Sequence, residues 1–260
     1  MTIHSSLTVV TRALAFAGLL CLAGAVSGCA SPGGSGMPSD ESTSARADTG
    51  AAPDLLTAAE RAEGWRMLFD GRSTAGWRGY KEQSMPAGWQ VIDGELTRVS
   101  GGGDIITTEQ FSDFELALEW KVGPAGNSGV FYRVTEEGEE SYHTGIEMQV
   151  LDDAGHADGQ SRLTSAGSLY GLYPAAAGVV KPAGEWNSAR VVVRGNHVEH
   201  WLNGQQVVEA ELWSPDWNTR LAASKFTQWP GYARATRGHI GLQDHGDRVS
   251  FRNIKVRVLQ

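Results

Sequence analysis

The sequence predicts an all-β fold, an antiparallel two-sheet β-sandwich or jelly roll with one short N-terminal helix. Three observations carry this. Beyond about residue 63 the helical period disappears, and short apolar or alternating runs take its place. Turn dipeptides separate the runs: Asp93-Gly94, Gly195-Asn196 and Asn203-Gly204. Asn-Gly suits a tight hairpin because both central residues must take positive φ. About ten strands with little helix have to bury one face of each sheet against the other. No internal repeat is visible, which argues against a propeller or a solenoid.

In chain order, residues 1–28 read as an export signal, with Arg12 as the one formal charge ahead of an apolar run from Ala13 to Val26. That run is too short for a stable span. It closes on Val26-Ser27-Gly28-Cys29, which resembles the lipobox of bacterial lipoproteins and implies lipidation at Cys29. The expectation is an exported protein, lipid-anchored at the cell envelope, with Ala30 after the cysteine favouring outer-membrane sorting. Residues 29–54, rich in Ser, Gly, Pro, Ala and Asp, form a flexible tether. The single folded domain is 55–260. Its helix opens at Thr57, with Glu60 three residues on as a capping box, and runs from Ala58 to about Glu63.

The strands follow. Trp89–Ile92 and Glu95–Arg98 flank Asp93-Gly94. Phe114 to Val122 alternates, with Phe114, Leu116, Leu118 and Trp120 on one face. Val130–Val134 and Gly145–Leu151 come next, then a meander of Arg190–Arg194, His197–Leu202 and Gln205–Glu209. His239–Gln243 and Val249–Val258 close the chain.

Composition narrows the chemistry. The two cysteines are Cys21, in the discarded signal, and Cys29, so the mature fold has no thiol chemistry and no disulfide. The net charge of −8 becomes −9 without Arg12, and an acidic chain with scattered Lys and Arg is a poor nucleic-acid binder. There is no P-loop, no dinucleotide-binding glycine turn after a strand and no His-Glu-x-x-His. Gly126-Asn127-Ser128-Gly129 is not a nucleophile elbow, because Val130 stands where the motif has its second glycine. Nine tryptophans suit sugar stacking, although most tryptophans of a sandwich fill core.

Parity selects site residues. In Gly145–Leu151 the apolar Ile146, Met148 and Val150 face the core, so Glu147 and Gln149 face outward. In the strand after Gly238, Ile240 and Leu242 point inward, leaving His239, Gln243 and His245 on the other face. Arg133 shares a side with Phe131 and is a candidate for the polar face. Residue by residue, each of these is more simply a solvent-facing side chain of a half-exposed sheet. His239 suits a structural role, and His143, His156, His197 and His200 are expected in loops or on the outer face. Asp152 and Asp153 end a strand, where they either start a turn or, Asp152 with Glu147, help to hold a divalent cation.

Several segments resemble the 3-keto-disaccharide hydrolase family. They are Trp65-Arg66-Met67-Leu68-Phe69-Asp70-Gly71 with Gly76-Trp77, Asn127-Ser128-Gly129-Val130-Phe131-Tyr132-Arg133 and Gly145-Ile146-Glu147-Met148-Gln149-Val150-Leu151-Asp152. Gly184-Glu185-Trp186-Asn187, Glu199-His200-Trp201-Leu202-Asn203-Gly204, Lys225-Phe226 and the block Gly238 to Gly246 with Phe251-Arg252-Asn253-Ile254 continue it. The resemblance runs in order from Leu56 to the end. It implies a concanavalin-like jelly roll and cleavage of glycosides already oxidised at C3, with a carbohydrate substrate and a sugar 3-oxidoreductase upstream.

On such a substrate the ketone acidifies the C2 hydrogen, the aglycone leaves from C1 by elimination, and water adds to the 2-hydroxy-3-keto-glucal. The roles to fill are a base, Glu147 or His245; a leaving-group acid, His245 or Tyr170; and an enediolate partner, Lys225 or Arg133, for which a bound divalent cation is the alternative. Asn127, Gln149 and Gln243 would hold sugar hydroxyls. Two other readings stand beside this one: a carbohydrate-binding module without catalysis, and a glycosidase or lyase acting on unoxidised glycan with a pair of facing carboxylates.

Overall fold

The structure, a computed structural model, describes residues 56–260. The export signal, Cys29 and the tether lie outside the described residues. The chain enters through α1 (Ala58–Ala62), where Thr57 accepts the Glu60 N–H and the Glu60 carboxylate accepts the Thr57 N–H, the reciprocal cap expected from the sequence.

Two antiparallel sheets follow. The larger contains β1 (Arg66–Met67), β3 (Trp89–Ile92), β4 (Glu95–Arg98), β6 (Phe114–Val122), β9 (Asn187–Arg194), β10 (His197–Leu202), β11 (Gln205–Glu211) and β13 (Val249–Val258). Its order is β11-β10-β9-β6-β13-β4-β3, with β1 paired to β13. The smaller holds β2 (Trp77–Gly79), β5 (Ile105–Phe111), β7 (Asn127–Val134), β8 (Ile146–Leu151) and β12 (Gly238–Leu242), in the order β2-β5-β12-β7-β8. The sandwich is therefore as expected, and the β9-β10-β11 meander turns at Gly195-Asn196 and Asn203-Gly204, with Asn203 at φ 49° and Gly204 at φ 81°.

Alternation accounts for the core. Phe114, Leu116, Leu118 and Trp120 of β6 meet Val130 and Tyr132 of β7, Ile146, Met148 and Val150 of β8, and Ile240 and Leu242 of β12 in one buried cluster. Burial of such side chains contributes on the order of 2 kcal/mol each, so a thiol-free sandwich can stand on its core.

Three expectations change. A second helix, α2 (Pro215–Ala222), is present: Ser214 caps it by accepting the Trp217 N–H, and Pro215 occupies its first turn, where a missing N–H does no harm. His200 is not on the outer face. Its ring is buried between the sheets, within 3.0 Å of the Tyr132 hydroxyl and 3.1 Å of the Gly167 carbonyl, and desolvation brings its pKa down to about 4. Arg133 leaves the polar face because β7 bulges against β12: Gly241 pairs with Phe131 but His239 with Val134. The extra residue breaks the alternation, so Val134 joins Phe131 on the outer side while Arg133, at φ 54°, is turned elsewhere.

Candidate active site

The outer face of the smaller sheet is the floor of a pocket of about 300 Å³. Asn127 comes from the start of β7, Glu147 and Gln149 from β8, and Gln243 and His245 from the segment that leaves β12. Tyr142 reaches in from the turn Ser141–His143, Tyr170 from the loop beyond β8, and Lys225, Phe226 and Trp229 from the turn after α2. Seven residues singled out in the sequence thus share one cavity: Glu147, His245, Lys225, Tyr170, Asn127, Gln149 and Gln243.

Local hydrogen bonding explains the convergence. Gln243 extends the pairing of β12, donating its N–H to Gly129 O at 3.0 Å while its carbonyl accepts the Ser128 hydroxyl at 2.8 Å. The chain from Gly167 to Tyr170 runs along the free edge of β8. Gly167 N–H donates to Gln149 O at 2.8 Å and Tyr170 N–H to Glu147 O at 3.1 Å. Lys225 Nζ lies 4.6 Å from the Tyr170 ring centre, a cation–π contact that holds the ammonium at the pocket.

Glu147 is the chemically distinctive member. It is 7% exposed, and among the described residues its carboxyl has no hydrogen-bond partner. Desolvation, reinforced by the charges of Asp104 and Asp158 and opposed by Lys225, raises its pKa to about 8. It lies folded over Gly129 of the neighbouring strand, where a Cβ would stand 2.3 Å from its Oε1. Around it the side-chain oxygens of Asn127, Gln149 and Gln243 are buried without a partner. Three unsatisfied amides around one cavity are unfavourable without a ligand or water to complete them. Tyr170 donates its hydroxyl to Asp158 at 3.2 Å, and burial takes its pKa up to about 12.

The pocket's other wall is aromatic. Trp229 stacks on His143 at 4.7 Å between ring centres and meets Tyr142 at 5.2 Å, while Phe226 stacks on Tyr232 at 4.0 Å. Sequence reasoning missed Tyr142, Phe226 and Trp229 as lining residues and Asp104 and Asp158 as neighbouring charges. Lys225-Phe226 was visible as a motif, but the others sit in loops with no period to expose them.

Two expectations fail. Arg133 is buried at another end of the sandwich, donating to Gly195 O at 2.6 Å and lying 3.7 Å from Asp113. It is thus neither an enediolate partner nor a substrate ligand in this pocket. Asp152 is a turn residue rather than a partner of Glu147 for a cation: its Oδ2 accepts the Ala125 N–H at 2.8 Å and its Oδ1 the Ala154 N–H at 3.2 Å. Among the described residues no three His, Cys, Asp or Glu side chains are grouped to hold a metal. His239 is structural, its Nδ1 lying 2.6 Å from Thr107 O. His156 is a loop residue whose ring meets that of His245 at 6.4 Å.

Comparison with known proteins matches residues 64–257 to the family described as the 3-keto-alpha-glucoside-1,2-lyase-like domain. A 3-keto-disaccharide hydrolase of Bacteroides thetaiotaomicron is 38% identical over 238 residues, covering 79% of this chain and 82% of its own. A candidate glycosyl hydrolase from Parabacteroides distasonis superimposes with a TM-score of 0.74 at 35% identity, covering 79% of this chain and 98% of that one. Another from the same organism gives 0.60 at 30% identity, over 75% of this chain and 99% of that one. With the family matched over residues 64–257 and a relative 38% identical over 79% of the chain, the chain belongs to the 3-keto-α-glucoside-1,2-lyase-like family.

Proposed function

We propose that this protein cleaves the glycosidic bond of 3-keto-glycosides by elimination across C1 and C2, followed by addition of water to the product. The family relationship makes it a glycosidic-bond-cleaving hydrolase acting on carbohydrate. The observation that carries the finer reading is Glu147: a carboxyl with its pKa raised to about 8, opposite Lys225, in a pocket of unsatisfied amides.

The chemistry follows from that pairing. A ketone at C3 acidifies the hydrogen on C2, and a carboxylate of raised pKa is a stronger base than an ordinary one while still partly ionised near neutrality. Glu147 takes the C2 proton, and the electron pair of the C–H bond becomes an enediolate on C2, C3 and the C3 oxygen. The Lys225 ammonium stabilises the charge on that oxygen. The enediolate collapses, forming the C1–C2 double bond, restoring the C3 carbonyl and breaking the bond from C1 to the aglycone oxygen, which His245 protonates. Water then adds its hydroxyl to C1 and a proton to C2. Asn127, Gln149 and Gln243 hold ring hydroxyls, and Trp229 and Tyr142 cover an apolar face of the substrate. Only one carboxylate is required at the reacting carbons, whereas an ordinary glycosidase needs two. The ketone itself must come from an oxidoreductase that acts on a secondary alcohol.

A 3-keto-glucoside bearing deuterium at C2 tests the mechanism. Aglycone release should slow with a primary isotope effect, and Glu147→Gln should lose turnover. Equal rates for the protonated and deuterated substrates would contradict rate-limiting proton abstraction at C2, and unchanged turnover in Glu147→Gln would rule out Glu147 as its base.

A further inference from the structure

Asp104 stands just before β5, half-buried, and does not line the pocket, yet it touches both of its sides. Its Oδ1 accepts the N–H of Asp244 at 2.8 Å, and its Oδ2 accepts the hydroxyl of Ser141. Asp244 lies between Gln243 and His245, and Ser141 directly precedes Tyr142. One carboxylate therefore joins the segment carrying two polar groups of the pocket to the turn carrying part of its aromatic wall. The side chain of Asp244 is held separately. Arg98 Nε lies 2.6 Å from its Oδ1, and the N–H groups of Gly102 and Gly103 donate to its Oδ2 at 3.1 Å. Those bonds anchor the Asp244 side chain, whereas Asp104, alone among the described residues, connects its backbone across to Ser141.

We propose that Asp104 is a positioning residue of this site: its carboxylate sets the spacing between the Gln243–His245 segment and the Ser141–His143 turn and places a charge at the edge of the pocket that holds Glu147. Its influence on catalysis rests on the elimination reading; its coupling to Glu147 does not. Around Glu147 the charged and titratable groups are Asp104 before β5, Tyr142 from the turn Ser141–His143, Asp158 and Tyr170 from the loop after β8, Lys225 and Tyr232 from the segments after α2, and His245 after β12. Asp104 and Asp158 favour the protonated Glu147, and Lys225 favours the ionised one. Asp104 is itself raised to about 6 by burial, so it carries charge at neutral pH and acts on Glu147 there.

Asp104→Asn separates tuning from tethering. The amide has the same shape; its oxygen still accepts the Asp244 N–H and its NH₂ can donate to Ser141 Oγ, but the charge is gone. Following the Glu147 carboxyl by carbon NMR, with Glu147→Gln to assign it, the midpoint in Asp104→Asn should fall by about half a pH unit or more. The acid limb of kcat/KM on a 3-keto-glucoside should move the same way. Asp104→Ala, which removes both links, should lower kcat/KM by roughly tenfold or more. A role in stability alone would change the melting temperature and leave the midpoint in place. An unchanged midpoint in Asp104→Asn overturns the proposal, as does wild-type kcat/KM in Asp104→Ala; if the alanine variant does not fold, the asparagine variant decides. If wild type turns over no keto-glycoside, the elimination reading fails, and the Glu147 midpoint in Asp104→Asn still decides the coupling.

Discussion

Glu147 concentrates both the chemistry and the instability of the pocket. An isolated carboxyl in a desolvated site has its folded pKa raised to about 8, above the ordinary value of 4.5. The folded chain then binds more protons than the unfolded one between those values. Stability carried by the protonated group is complete below pH 4.5 and is lost as pH rises through 8. Glu147→Gln, which keeps the shape and cannot ionise, should raise the melting temperature relative to wild type, by a few degrees or more at pH 9 and by little at pH 5. Thermal melts across that range check it, and an equal effect at both pH values would remove the buried charge as the cause. On the proposed mechanism catalysis runs the opposite way, because Glu147 acts as the base only when ionised: kcat/KM should rise with pH towards 8 in the same protein that loses stability.

At the scale of elements, the site depends on how β7 and β8 lie together. Glu147 folds over Gly129 because that glycine has no side chain. Gly129→Ala should displace the Glu147 carboxyl and lower kcat/KM by roughly tenfold or more, with a melting temperature much closer to wild type, since the nearest atoms belong to a side chain that can turn aside. Kinetics and melts on the one variant test this; full activity would show that Glu147 need not lie there. The same strands show what a sequence reveals. Alternation in β8 identified Glu147 and Gln149 as outward-facing, because nothing interrupts its period. In β7 the identical argument misplaced Arg133, since a bulge leaves no mark in the local pattern and appears only when Phe131 and Val134 are matched to Gly241 and His239. The helix at Pro215 had its cap and proline in view, but eight residues between β-strands gave too short a period to stand out.

For the whole molecule, the sandwich was legible because its hairpin turns and strand alternation are local, and the pocket floor because it is built on strands. The walls were not: Tyr142, Trp229, Asp104 and Asp158 come from separated loops that meet only when the sheets pack. That assembly gives a cavity with a polar floor, an aromatic side, one carboxyl of raised pKa and one ammonium, on a chain that belongs to the lyase-like family. The most direct measurement is aglycone release by the protein from a chromogenic 3-keto-glucoside and from its unoxidised parent, side by side. The account predicts release from the keto compound and none from the parent, because only the ketone makes the C2 hydrogen acidic enough for Glu147 to remove. Equal release from both would contradict elimination, and release from neither would contradict the proposed activity altogether.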